Sequence, residues 1–321
     1  MLAYYLHTFG PDLIHFSGNL GIHWYGLAYV MGFYCAYLVM HSLARRGYGE
    51  LQPQKVADFI TMVALFGVVL GGRLGYMLLY DFDHFIHQPW SIFMINQGGM
   101  ASHGGIFGIV IFTWFYARAQ HISWTGLGDN LVVGAPIGLF FGRLANFING
   151  ELYGRITDVS WAWKFPTEIH ELNIAPSQLG IPTADDRWPQ HSNEILTLVK
   201  QVPDGMDKLI SVLHPRHPSQ LYEAALEGVF LFSVLYFVRT RSKHVPNGLL
   251  TALFFLLYAV VRIIAENFRQ PDPGYDLYFG FITKGQLYSF FMIGTGLAFL
   301  IFALTKGRQI AKARQEALQS A

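Results

Sequence analysis

Seven apolar stretches recur along the chain, at about 22–42, 58–80, 100–118, 127–147, 220–239, 248–267 and 286–305. A helix rises 1.5 Å per residue, so roughly 20 apolar residues cross a hydrocarbon core about 30 Å thick. The recurrence therefore predicts an all-α polytopic membrane protein with seven transmembrane helices. Composition agrees: 13% of residues are charged, against about 25% in a typical soluble domain. The segment before the first stretch, MLAYYLHTFGPDLIHFSGNLG, lacks a basic n-region and a compact small-residue cleavage site, so it is expected to be retained.

Short cytoplasmic loops collect Lys and Arg. Arg45, Arg46 and Lys55 lie between the first two stretches, Arg118 follows the third, and Arg239, Arg241 and Lys243 follow the fifth. Lys306, Arg308, Lys312 and Arg314 fill the tail, whereas the N-terminal segment and the second loop, DFDHFIHQPWSIFMINQGG, have no Lys or Arg. The N-terminus is therefore expected outside and the C-terminus inside. We read residues 1–321 as one integral-membrane domain, with 148–218 inserted as an external cap between the fourth and fifth spans. That connection is too long for the charge rule, and a structureless loop of its length would be unusual. It carries NG and PDG turn signals and a short helix near HSNEILTLVKQ.

Several chemistries are disfavoured. A formal net charge of +1 gives no global basic excess for nucleic acid. Cys35 is the one cysteine and can form no intramolecular disulfide. Neither CxxC nor HExxH occurs, and two prolines interrupt the HPRHP stretch around His214 and His217. We expect no metal site and no cofactor.

The chemistry-bearing residues are charges inside apolar stretches. The second, fourth and sixth spans run from inside to outside, and Arg73, Arg143 and Arg262 each fall some 15 residues from the inner end, roughly 23 Å up the core. His103 begins the third span at the outer boundary, with Tyr25 and His23 at the start of the first. Taken singly, each arginine reads equally well as a side chain snorkelling to the headgroups. Snorkelling predicts no special neighbours, however, whereas Arg143 has Asn146 one turn on and Arg262 has Glu266 at i+4 and Arg269 at i+7. The Arg262–Glu266 pair also reads as purely structural. Arg73, among glycines in LGGRLGYML, reads more readily as a packing or lipid-contact residue. His103, in GGMASHGGIFG, is either a hydrogen-bonded histidine where helices crowd or a general base, a role imidazole as a group can fill near neutral pH. Tyr25 and His23 read first as interfacial anchors.

Guanidinium groups in a low-dielectric site favour phosphate through bidentate, charge-assisted hydrogen bonds. At this depth the available phosphates are lipid headgroups of the outer leaflet, which points to a lipid-modifying transferase. The main rival is a membrane transporter of an anionic solute. It would also use intramembrane charge, but with internal repeats, and the only echo here is GGRLGY against FGRLAN. An intramembrane serine protease fits poorly, because Ser102 is adjacent to His103.

Six blocks carry a closer resemblance: HWYGL at 23–27, GGRLGY at 71–76, HGGIFG at 103–108, GRLANFINGELYGR at 142–155, HPSQLYE at 217–223 and VRIIAENFRQPD at 261–272. Through them the chain resembles the bacterial prolipoprotein diacylglyceryl transferases over nearly its whole length. Ala145, where that pattern commonly has glycine, is the main departure. The resemblance implies a multi-pass protein of the bacterial inner membrane with its active site toward the periplasmic face. It would transfer the sn-1,2-diacylglyceryl group from phosphatidylglycerol to the lipobox cysteine thiol of prolipoprotein signal peptides, releasing glycerol 1-phosphate. His103 is then the expected base for the substrate thiol, with Arg143 and Arg262 stabilising the departing phosphate. Asn146 would bond the headgroup or fix Arg143, while Glu151 and Gly154 lie in the turn just outside. Tyr25 and Tyr258 match tyrosines of the family. Glu266 would hold Arg262 and Arg269, and Arg269 would either meet the glycerol phosphate or face lipid. Glu223 and Glu227, at i and i+4, are placed to pair with these arginines, although that pairing comes from spacing alone.

Overall fold

The computed structural model describes residues 4–17, 20–94, 99–271 and 282–319. Six of its helices are long and apolar enough to cross a membrane: α1 (Trp24–Arg45), α2 (Pro53–Leu79), α4 (Trp124–Asn149), α7 (Ser219–Arg241), α8 (Leu249–Glu266) and α9 (Gly285–Ala313). The third expected span is α3 (Ser102–Ala119), 18 residues long and so about 27 Å. Its polar start, Ser-His-Gly-Gly, leaves it less apolar than the six. Phe66, Phe107, Phe237 and Phe291 are each more than half exposed on these helices, as side chains that face lipid rather than water must be. Widened, π-helical turns interrupt the longer helices, Val63–Leu70 in α2, Ala224–Phe230 in α7 and Ala303–Gly307 in α9. The protein is thus all-α and multi-pass.

The chain divides into two compact units. One comprises 33–135, 234–254 and 295–321. Its core joins Met40, Phe59, Val63, Ala117 and Leu127, and α2 packs directly on α3 through glycine. A Cβ on Gly71 would lie 2.7 Å from the Gly104 carbonyl and 2.9 Å from the Gly108 Cα. Between helices in lipid such close backbone packing replaces the hydrophobic drive available in water. Asp129 caps the start of α8, accepting from the Gly248 and Thr251 amides at 2.7 and 2.8 Å; this satisfies donors that lipid could not.

The other unit comprises 1–32, 136–233 and 255–294. Within it, the 148–218 connection is folded, as its turn signals predict. The HSNEILTLVKQ stretch contains α5 (Ser192–Val199), followed by α6 (Gly205–Val212). Their apolar faces bury Ile195, Val199 and Leu209 with Ile169, Ile181 and Leu213. Small strands, unforeseen in the sequence, tie the N-terminus down. β1 (Tyr5–Leu6) pairs in parallel with β4 (Trp163–Lys164), and β2 (Asp12–Ser17) with β3 (Leu20–His23) as an antiparallel hairpin. Beyond β1, His7 is wholly buried; its Nε2–H donates to the Phe147 carbonyl at 2.7 Å and its Nδ1 meets Ser192 Oγ at 2.9 Å.

Candidate active site

The unit containing the folded connection also holds Arg143 on α4, Glu223 and Glu227 on α7, and Arg262 and Glu266 on α8. Glu223 and Glu227 are wholly buried on α7, Glu227 within the widened turn. The neighbouring Gly228 permits close packing: a Cβ there would stand 2.6 Å from the Phe140 Cβ of α4. Across that contact the Arg143 Nε and Nη2 donate to Glu227 Oε2 at 3.1 and 3.0 Å, and its Nη1 lies 2.7 Å from Glu223 Oε2. The Arg262 Nη1 reaches Glu223 Oε1 at 3.2 Å and Glu227 Oε1 at 3.3 Å, while its Nη2 lies 2.9 Å from Glu266. Arg269 approaches Glu223 at 3.7 Å. Two carboxylates of one helix thus hold Arg143 and Arg262 side by side.

Pairing is what apolar surroundings demand, because an uncompensated charge there is costly. Yet both arginines keep some exposure, 16% and 14%, against none for Glu223 and Glu227. The guanidinium edges, not the carboxylates, are what an incoming ligand would meet.

Asn146 does not fix Arg143. Its amide donates to the Tyr25 hydroxyl at 2.8 Å and to Glu151 Oε1 at 2.9 Å, joining the start of α1 to the end of α4. Tyr25 is therefore more than an interfacial anchor. It also lines a cavity of about 610 Å³ with Leu27, Val30, Asn149 and His191. The Tyr258 hydroxyl stands 3.5 Å from Glu227. Arg269 is buried, which removes the lipid-facing alternative for it.

The NG pair ends α4 as its composition suggests. Gly150 takes φ +69° and its amide bonds back to the Phe147 carbonyl at 3.0 Å. Four residues on, Gly154 is caught between two backbones. Its amide donates to the His217 carbonyl at 2.9 Å, and a Cβ there would lie 2.6 Å from that oxygen and 2.5 Å from the Phe268 carbonyl. Arg155 extends the join through its amide to the Phe268 carbonyl at 2.8 Å and its Nε to the Arg269 carbonyl at 3.1 Å. With the Gln270 amide donating to the Tyr153 carbonyl at 3.3 Å, the backbone about Gly154 holds the chain on either side of Arg269.

Two contributors, Arg216 and Gln220, are not singled out by the sequence. Arg216, in HPRHP, donates from Nη2 to the buried Glu168 at 2.7 Å and from Nη1 to the Gly154 carbonyl at 3.2 Å, with its guanidinium over the Tyr153 ring. Gln220 donates to the Glu151 carbonyl at 2.7 Å. No helical spacing links these residues to their partners; only the fold of the connection does.

His103 and Arg73 belong to the other unit. His103 is exposed on the first turn of α3. Arg73 is buried and its guanidinium binds backbone, donating to the carbonyls of Ser91 at 2.6 Å, Gly99 at 3.1 Å and Ile92 at 3.3 Å. It secures the second loop, a packing role.

Fold and network together define a multi-pass membrane protein in which helix-borne guanidinium groups are held by buried carboxylates. The family model for prolipoprotein diacylglyceryl transferase matches residues 11–302. A phosphatidylglycerol–prolipoprotein diacylglyceryl transferase of Bdellovibrio bacteriovorus is 38% identical over 92% of this chain and 93% of its own. Proteins of the same description from Legionella pneumophila and Coxiella burnetii are 39% and 38% identical, over 87% and 92% of this chain and 92% and 95% of theirs. The chain belongs to the prolipoprotein diacylglyceryl transferase family.

Proposed function

We propose that this protein is a phosphatidylglycerol–prolipoprotein diacylglyceryl transferase acting at the outer face of the bacterial inner membrane, N-terminus outside and C-terminus inside, with 148–218 as a periplasmic cap. The sulfur of a lipobox cysteine attacks the glyceryl carbon of phosphatidylglycerol. A thioether C–S bond forms, the C–O bond to phosphate breaks with its electron pair going to oxygen, and glycerol 1-phosphate departs. A cysteine thiol has a pKa near 8.5 and only its thiolate attacks well, so the proton must go to a base. His103 is assigned that role.

The observation that carries the proposal is the side-by-side fixing of Arg143 and Arg262 by Glu223 and Glu227. Preorganised donors facing developing phosphate charge need no rearrangement during reaction, and removing one such donor typically costs about 10²–10³ in rate. Arg269 extends the positive edge, and Glu266 sets the plane of Arg262. Tyr25, Asn146 and Glu151 form a linked polar wall, and the cavity beside Tyr25, with Leu27 and Val30 as apolar lining, suits an amphiphile.

Purified protein incubated with phosphatidylglycerol and a lipobox peptide should add a diacylglyceryl mass to the peptide. His103→Gln should lower the rate at least a hundredfold with the chain still folded. A His103→Gln rate near wild type would remove His103 from the chemistry, and flux of a soluble anion in liposomes without peptide modification would favour the transporter.

A further inference from the structure

Glu223 and Glu227 do more than hold arginines if the charges are counted. Arg143, Arg262 and Arg269 contribute three positive charges, and Glu223, Glu227 and Glu266 three negative ones, all within one contact network. Apolar surroundings demand such compensation, and it also sets how much net positive charge faces a ligand. Here, among the described residues, two of the five N–H groups of Arg143 donate to Glu227 and its Nη1 lies 2.7 Å from Glu223.

This balance matters because of what the transfer does to phosphate. The donor lipid is a phosphodiester with one negative charge, whereas the released product is a phosphomonoester, which carries close to two above its second pKa near 6. Coulomb energy scales with ligand charge and is larger in a low-dielectric site than in water. Carboxylates at the back of the site therefore penalise the second negative charge of a monoester.

We propose that Glu223 and Glu227 are specificity-determining residues that tune the arginine site to a singly charged phosphodiester and against a doubly charged phosphomonoester, which promotes release of the product phosphate. This inference rests on reading the site as one for lipid phosphate.

The test compares two competitors with the same diacylglycerol body, phosphatidate (a monoester) and phosphatidylmethanol (a diester), in the transfer assay at pH 8. For the wild type the diester should inhibit at least tenfold more strongly than the monoester. Glu227→Gln and Glu223→Gln should shift that ratio at least tenfold toward the monoester, whereas Glu227→Asp, which keeps the charge, should stay within about twofold of wild type. A purely structural role would weaken both competitors together. Equal or stronger inhibition of the wild type by phosphatidate overturns the proposal even if the Gln variants do not fold, as does an unchanged ratio in Gln variants that do. Absence of any transfer by folded wild type would instead overturn the underlying assignment of function, and this proposal with it.

Discussion

Arg143 differs from an ordinary membrane arginine in how many of its donors are fixed. Nε, Nη1 and Nη2 each face a buried carboxylate oxygen, a planar fork that lysine cannot reproduce. Arg143→Lys keeps the charge that compensates Glu223 and Glu227, so the protein should remain folded. Transfer should nevertheless fall about 10²–10³-fold, the usual cost of losing a preorganised donor, measured as initial rate beside an unchanged size-exclusion profile. Arg143→Ala is a harsher change, because breaking a buried pair costs about 3–5 kcal/mol in stability as well. Much of this was legible in the sequence: i+4 spacing placed Glu266 by Arg262, and the i, i+4 pair Glu223 and Glu227 was matched to the arginines. The direction of Asn146 was not, because its partner Tyr25 lies 121 residues away, beyond the reach of helical spacing. Arg73 shows the opposite limit. Equal depth along a helix groups it with Arg143 and Arg262, yet among the described residues it donates to the backbone carbonyls of Ser91, Ile92 and Gly99 in the second loop.

Among the elements, the segment 153–156 and the N-terminal strand carry the sharpest expectations. Gly154 lies against two carbonyl oxygens, and adding even one methyl group to such a contact typically costs about 1–3 kcal/mol. Gly154→Ala should therefore lower the melting temperature and reduce transfer together, by displacing the backbone on either side of Arg269; activity lost with full stability would point instead to direct ligand contact. His7 ties β1 to α4 and α5, and burial pushes its pKa down from 6.5 to about 4. The folded state thus binds this proton less readily than the unfolded chain. Stability from burying neutral His7 is complete above about pH 6.5 and is lost as pH falls toward 4, in all about 3 kcal/mol. Protease protection of the N-terminal segment should weaken over that window in the wild type and change little in His7→Gln. Turn signals and the HSNEILTLVKQ pattern foretold the folded connection. The two-residue pairing of β1 with β4 was invisible, since strands this short have no periodicity and their register is set by distant partners.

For the whole molecule, apolar recurrence located the six helices that are long and apolar enough to cross a membrane, while their π-helical turns, which depend on packing such as that of Gly228 on Phe140, left no mark in the pattern. The loop charges make orientation testable. With Cys35 replaced, a cysteine at the exposed Asp185 should react with an impermeant thiol reagent in cells whose inner membrane is intact, whereas one at the exposed Lys312 should react only after that membrane is permeabilised; the reverse pattern would invert the topology. The central claim is that Arg143 and Arg262 serve transfer of a diacylglyceryl group from lipid to a protein thiol. Mass spectrometry of a lipobox peptide incubated with purified protein and phosphatidylglycerol tests it most directly. One diacylglyceryl addition per peptide at the cysteine is expected, with glycerol phosphate released in equal amount; an unmodified peptide after incubation with folded protein would exclude that role.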